Sequence, residues 1–534
     1  MYSLFLIGIG LLASDGIATA QGLNAAINVA ADQVVRKIPR TLYGTNVQWV
    51  WNGNGLWLDQ THSVDPTLLG QTQALGVSLI RYPGGLYADF YHWRDGIGPY
   101  DQRPMALHEP TSGDHSRPNF GTDEALQFAA QVGGQLLIEV NVGTGTPQEA
   151  ADWVRYVNAN QLRVVYWELG NELYINDGSP SSKAITMDPA TYATKFLQFA
   201  QAMRAVDPRI KIGAIGGRNR GLYAINSYPN WDQIVLQNAG SQIDFLSVHN
   251  AYAPGAAPQY DLRTVYQSML AAPLQIAQDL RALANEVATY APARASQIGI
   301  AVTEWGPLFQ MDTSGIYVEH TKTLTCALLA ASTLKALVES PATQMANFHV
   351  LNDFSIMVWI GLEHGQYPQW TPTARYYAFQ LFSKAFGEDL VTSRLASPTY
   401  NSIALGGVDA AKNVPYLEVV SSLNADHTKL QIMVINKHFD QAINGNFTIQ
   451  GFAPRPNGTA YTLTGTGLDA NTGTDPIPLP GVTWAQQITD PVNPRFYAGG
   501  PGEVSLITSS PTGMGKSFAY KFPPHSVTLL VLSR

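Results

Sequence analysis

Cysteine is almost missing from this 534-residue chain, where Cys326 stands alone. A single thiol excludes an internal disulfide and offers no thiolate metal site. Set in an apolar helical stretch, it reads as core. Charge is also sparse, at 13% of residues, with 32 Lys and Arg against 40 Asp and Glu. A net charge of −8 without any basic run argues against a nucleic-acid partner. Beyond the N-terminus no apolar run approaches the ~20 residues that span a bilayer, so no membrane partner is expected. Internal repeats and low-complexity linkers are absent as well. His92, His108 and His115 fall in loops without close paired spacing, and Gly143-Thr-Gly lacks the Lys and Ser or Thr of a phosphate loop. Neither a metal nor a cofactor is expected.

What the chain has is an apolar start, LFLIGIGLLA followed by IATAQG, the pattern of a secretory signal spanning residues 1–20 and cleaved after Ala20. Export to the periplasm or the medium follows as an expectation. With 45% hydrophobic residues, 47 Gly and 33 Pro, the remainder is loop-rich and large enough for a barrel and a smaller domain. Eight strand-like runs alternate with helical patterns: 42–50, 77–83, 135–142, 163–171, 210–217, 243–250, 298–305 and 345–351. One intervening helix opens with Thr146 as its cap, Pro147 in the first turn and Glu149 three residues after the cap. Eight such units across residues 40–385 predict a (β/α)₈ barrel, an α/β fold whose active site lies at the C-terminal ends of its strands. Residues 386–534 lose the helical period and alternate apolar strands with Gly, Asn and Pro turns, the pattern of an antiparallel β-sandwich. A strand within 21–39 is expected to join that sandwich.

Two carboxylates close barrel strands. VVYWELGNELY ends strand four on Asn171 and Glu172, and IGIAVTEWGP ends strand seven on Glu304. Charged residues seldom finish a core strand without a purpose. Facing each other across a barrel mouth, the pair suits glycoside hydrolysis, where one carboxyl protonates the leaving oxygen and the other attacks the anomeric carbon. Asn171 is placed to hydrogen-bond a sugar hydroxyl. Trp49, Trp51 and Trp57 after strand one, with Trp305 and Trp359 after strands seven and eight, suit a cleft in which sugar rings stack on aromatic faces. His249 and Tyr252 end strand six, while His349 on strand eight faces either the mouth or the core.

Tyr166-Trp167-Glu168-Leu169-Gly170-Asn171-Glu172 resembles the acid/base strand of the clan A retaining glycosidases, and Thr303-Glu304-Trp305 resembles their nucleophile strand. The stretches RYPGGLYADFYHWRDGIGP (81–99), NFGTDEALQFAAQ (119–131) and VNVGTGTPQEAADWVRYVNA (140–159) are similar to glycoside hydrolase family 51, the α-L-arabinofuranosidases. That resemblance implies a barrel followed by a β-sandwich, Glu172 as acid/base and Glu304 as nucleophile. It also implies that Arg81 and Asn171 hold the substrate or the carboxylates, and that Tyr252 touches the nucleophile. Two positions depart from the family pattern. Gln48 stands where the family carries an arabinose-binding Glu, and Leu86 stands where it carries an Asn after the paired glycines.

The expected partner is therefore a plant cell-wall polysaccharide or oligosaccharide, and the composition leaves a homo-oligomer open. α-L-Arabinofuranosidase activity and endo-β-1,4-glucanase or xylanase activity stand side by side. The alternatives are a heparanase-like β-glucuronidase, for whose uronate no cationic partner is evident, and a carbohydrate-binding protein without catalysis.

Overall fold

The computed structural model describes residues 22–160, 163–218, 228–249, 251–252, 260–306, 323–353, 362–364, 370–470 and 503–534. The expected leader at 1–20 and Trp359 lie outside them. Eight parallel strands follow one another around a closed barrel: Gly44–Asn46, Leu79–Tyr82, Gln135–Val140, Tyr166–Leu169, Lys211–Ile215, Phe245–Val248, Gly299–Gly306 and Thr343–Phe348. The eighth pairs back onto the first through Asn347 and Gly44. Each strand falls within, or within two residues of, an apolar run read from the sequence, and the α/β barrel with a second, mostly antiparallel sheet is the fold expected. The helix Pro147–Ala159 begins where Thr146 accepts the Glu149 N–H, although the Glu149 carboxylate turns away to His92 Nδ1 at 3.0 Å.

Side chains alternate along a strand, so residues two apart share a face. One buried layer inside the barrel is apolar: Leu79, Leu137, Phe245, Ala301 and Met345, with Tyr166 against them. Strand five contributes Gly213, because a Cβ there would collide with the Phe245 ring. Two residues further along the same strands come Arg81, Glu139, Glu168, Ser247, Thr303 and Asn347, all buried. The next interior layer toward the mouth is thus polar. Apolar filling below and polar filling above is how a barrel becomes a packed support with a reactive rim.

The second sheet has nine strands. From one edge they run Val504–Ser509, Gly458–Gly465, Ser526–Ser533, Lys429–Asn436, Leu417–Leu423, Asp389–Ala396, Leu23–Lys37, Ile443–Gln450 and Ser517–Phe522. The N-terminal strand Leu23–Lys37 sits inside this sheet, parallel to Ile443–Gln450 and antiparallel to Asp389–Ala396. Ile432 and Val434 enter the sheet's own core with Ile27, Phe447 and Leu530, whereas Met433 and Ile435 join the core shared with the barrel. Both faces of that strand are therefore covered.

At this junction Lys437, fully buried, donates to Glu418 Oε1 at 2.5 Å and to the Leu270 carbonyl of the barrel at 3.1 Å. Burial lowers the Lys437 pKa, and Lys437 with Lys335 holds Glu418 below the usual carboxylate range despite its own burial. Lys437→Met strips the buried Glu418 carboxylate of its hydrogen-bonded cation and is expected to cost about 3–5 kcal/mol. Denaturant unfolding measures it, and adding Glu418→Leu should restore most of the loss. A single variant as stable as the parent would contradict this.

Candidate active site

The polar layer is organised by one side chain. Arg81 is fully buried, and its guanidinium makes four hydrogen bonds and one further ion-pair contact. Nε reaches Glu168 Oε2 at 2.5 Å, and Nη1 reaches Glu304 Oε1 at 2.7 Å and Asn46 Oδ1 at 3.3 Å. Nη2 reaches Asn171 Oδ1 at 2.9 Å and lies 3.0 Å from Glu139 Oε2. A planar fork with fixed donors can hold this many partners at set angles, where an ammonium could not.

The three carboxylates around Arg81 are not equivalent. Glu168 also accepts from Ser247 Oγ and from Thr303 Oγ1 at 2.9 Å, so both its oxygens are supported. Glu139 accepts at Oε2 from the Gly85 N–H at 3.1 Å, while its Oε1 is buried with no hydrogen-bond partner. Burial pushes the Glu139 carboxyl well above the usual range, with Arg81 opposing and Glu168 reinforcing the rise. Burial thus disfavours the charged form of Glu139, while Glu168 and Glu304 accept hydrogen bonds directly from Arg81.

Glu304 reaches this layer through an irregularity. Val302 pairs with Ala346 and Trp305 with Phe348, so strand seven spends one more residue than strand eight over the same length. Such a bulge lets neighbouring residues turn to the same side. Thr303 bonds to Glu168 while Glu304 bonds to Arg81.

Glu172 is held differently. It follows Gly170 (φ 82°) in the turn after strand four and itself has a φ of 42°, a left-handed conformation uncommon for a non-glycine residue. Its carboxylate Oε1 is 2.9 Å from His249 Nδ1, and the same nitrogen is 3.8 Å from Glu304 Oε2. The facing oxygens are thus no further apart than those two distances laid end to end. That bound lies at the bottom of the ~6.5–9.5 Å range of inverting glycosidases and includes the ~5–5.5 Å of retaining ones. The two carboxylates differ in access, since the Glu172 side chain is 22% exposed and that of Glu304 7%. Burial alone would lower the His249 pKa, but Glu304 and Glu172 outweigh it and raise the value. His349 Nε2 lies 3.7 Å from Glu304 Oε2, so this histidine faces the mouth, and burial lowers its pKa.

Of the residues expected at the site, Arg81, Asn171, Glu172, His249 and Glu304 converge. Gln48 is half-buried, with its Cγ against Gly84. Three tryptophans depart from expectation. Trp49 is fully buried, stacked on Tyr91 at 5.0 Å between ring centroids, and Trp305 is buried edge-to-face with Phe348 at 4.9 Å. Both fill the space behind the rim rather than lining a cleft. Trp57 is likewise buried, leaving Trp51 exposed among the three that follow strand one. Tyr252 pairs through its backbone with Gly306, and its side chain lies outside the described residues. Sequence reasoning missed Asn46, Glu139, Glu168, Ser247 and Thr303. The available signal was a charge in mid-strand two residues from an apolar interior position.

The Alpha-L-arabinofuranosidase 1 domain model matches residues 71–253. An intracellular exo-α-L-arabinofuranosidase of Bacteroides ovatus is 25% identical, covering 82% of this chain and 88% of that protein. Alpha-L-arabinofuranosidase C of Emericella nidulans is 28% identical, covering 87% of each. This is a retaining glycosidase resembling the family 51 α-L-arabinofuranosidases. The same fold recurs in the α-L-arabinofuranosidase of Thermotoga maritima solved with arabinose, at a TM-score of 0.77 and 24% identity, covering 96% of this chain and 100% of that one.

In this glycosidase Asp89 ties the mouth loops together. Its Oδ1 accepts from the N–H groups of Val142 and Gly143 at 2.9 and 2.8 Å, and its Oδ2 accepts from Asn171 at 2.7 Å. Burial pushes its pKa up to about 6 from 3.8, against the pull of these three donors. A carboxyl whose folded pKa is raised gives its full stabilisation below the unfolded pKa and loses it as pH rises to the folded one. The margin of the parent over Asp89→Asn should therefore shrink by about 2–3 kcal/mol between about pH 4 and pH 7. Denaturant unfolding at both values checks this, and an unchanged margin would contradict it.

Proposed function

We propose that the chain is an exo-acting α-L-arabinofuranosidase working by double displacement, with Glu304 as nucleophile and Glu172 as acid/base. The observation that carries the proposal is the asymmetric pair of carboxylates bridged by His249. Glu304 is enclosed, and its Arg81 contact favours the anion that must attack the anomeric carbon. Glu172 stands at the solvent edge, where it can take up a proton and later release one.

Proton traffic follows from the hydrogen bonds. His249 Nε2 lies 3.1 Å from Thr303 Oγ1, a hydroxyl that can donate to Glu168 and accept from the ring. In the neutral tautomer with its hydrogen on Nε2, Nδ1 accepts from the Glu172 carboxyl across 2.9 Å. In the first step Glu304 attacks the anomeric carbon, the glycosidic C–O bond breaks, and Glu172 protonates the departing oxygen. In the second step Glu172 takes a proton from water, the water oxygen attacks the same carbon, and the bond to Glu304 breaks. Two inversions return the starting configuration.

The names of the curated relatives support arabinofuranose as the glycone. Burial of Trp49, Trp57 and Trp305 weighs against the long aromatic cleft that an endo-glucanase or xylanase would use. A uronate-specific reading lacks support too, since Arg81, the arginine among the described site residues, is already engaged by five side chains.

Glu304→Gln should reduce turnover of an aryl α-L-arabinofuranoside by at least about 10⁴-fold while leaving the thermal unfolding midpoint within a few degrees. Substantial residual activity would sink the nucleophile assignment. Glu172→Ala should lose far more activity on arabinoxylan than on an aryl glycoside whose leaving group departs without protonation, and azide should partly restore the latter. Equal losses without an azide effect would remove the acid/base role. Release of arabinose alone from arabinoxylan supports exo action, whereas oligosaccharides cut from glucan or xylan overturn it.

A further inference from the structure

The turn after strand two passes directly beside Glu304. A Cβ on Gly85 would stand 3.8 Å from Glu304 Oε1, and both Gly84 and Gly85 have positive φ, which lets the backbone come this close. The chain then leaves the enclosed layer for solvent. Leu86, the next residue, is 40% exposed, and Tyr87 meets the edge of Trp51 at 5.8 Å, with Trp51 itself 39% exposed. His108 fixes the arrangement from behind. Its ring lies 5.2 Å from that of Trp51, 6.0 Å from Tyr87 and 5.4 Å from the buried Trp49.

Exposed large apolar side chains are few. Among the described residues they are Val34, Val35, Trp51, Leu86, Met105, Ile403 and Ile507, and three of these seven sit in the loops following barrel strands one and two. An apolar ledge continuous with a catalytic carboxylate is a binding surface more often than an accident of packing.

From these contacts we infer that Leu86 and Trp51 form a platform for the leaving group, and that this group is an apolar ring, aromatic or alicyclic, rather than a further sugar. The inference rests on the glycosidase reading above and deepens it. The glycone is one small ring that must stay within reach of both Glu172 and Glu304. The ledge continues from Gly85, beside the nucleophile, by way of Leu86 and Tyr87 to the exposed Trp51, so its occupant is placed past the glycosidic oxygen. A sugar placed on Leu86 would leave hydroxyls facing a side chain that offers neither donor nor acceptor, whereas a hydrocarbon ring loses nothing there.

Leaving groups of nearly equal acidity separate binding from bond-breaking. With methyl, cyclohexylmethyl and benzyl α-L-arabinofuranosides, kcat/KM should favour both ring-bearing substrates over methyl by about tenfold or more, chiefly through KM. Leu86→Asn and Trp51→Ala should each shrink that preference to within about threefold. Ile403→Ser, at an exposed apolar site away from the mouth, should leave it unchanged. Equal kcat/KM for all three substrates in the parent would overturn the platform, as would a preference that survives both variants or a stronger one for arabinoxylo-oligosaccharides. Failure to cleave any arabinofuranoside would instead defeat the glycone reading. The same three leaving groups on whichever glycone is turned over would then decide the platform separately.

Discussion

A guanidinium taken wholly out of water needs partners close around it, and Arg81 finds five in side chains from four other barrel strands or strand ends. Glu139, Glu168, Glu304, Asn46 and Asn171 converge on it, so the positions of strands one, three, four and seven are referred to one planar group. The desolvation cost of such a cluster is large and is offset only where geometry is good and the charges nearly balance. Glu139 is the carboxylate of the three whose burial is least compensated, with one oxygen lacking a hydrogen-bond partner and its pKa pushed up accordingly. A cluster so demanding tolerates little displacement, and that rigidity keeps the Glu304 carboxylate in a fixed place before substrate arrives.

The rest of the fold serves that placement at increasing distance. Directly below, the apolar layer of Leu79, Leu137, Phe245, Ala301 and Met345 seals the barrel and sets the height of the polar layer. The bulge in strand seven turns Glu304 inward without displacing Thr303, whose hydroxyl is already committed to Glu168. Asp89 holds the loops after strands three and four, and with them Asn171 and Glu172. Farther out, the second sheet buries both faces of its central strand and draws the N-terminal strand into its middle, covering one side of the barrel. Rigidity at the rim is thus inherited from layers with no part in the chemistry.

The eight strands could be read from the sequence because each is a compact apolar run with turn residues on both sides. Glu172 and Glu304 were legible because each ends such a run, where a charge has no packing reason to be. Glu139 and Glu168 were not, although they lie in the same runs. A mid-strand carboxylate looks like an outward-facing residue until the interior face is known, and that face is fixed only when Leu137 and Tyr166 are seen to point inward. The tryptophans misled for the opposite reason. A barrel rim needs bulky filling behind its loops, and Trp49, Trp57 and Trp305 do that work, so aromatic residues after a strand do not by themselves mark a sugar cleft. The bulge that directs Glu304 inward left no residue signature in the sequence, since neither a Gly nor a Pro marks it.

The central claim is that the buried, Arg81-bound carboxylate of strand seven forms the covalent bond to the sugar. A furanose-configured epoxide that alkylates the catalytic nucleophile, followed by proteolysis and mass spectrometry of the labelled peptide, tests it most directly. The account predicts one label per chain, on Glu304, with labelling blocked by arabinose. A label on Glu139, Glu168 or Glu172, or inactivation without any carboxylate adduct, would contradict it.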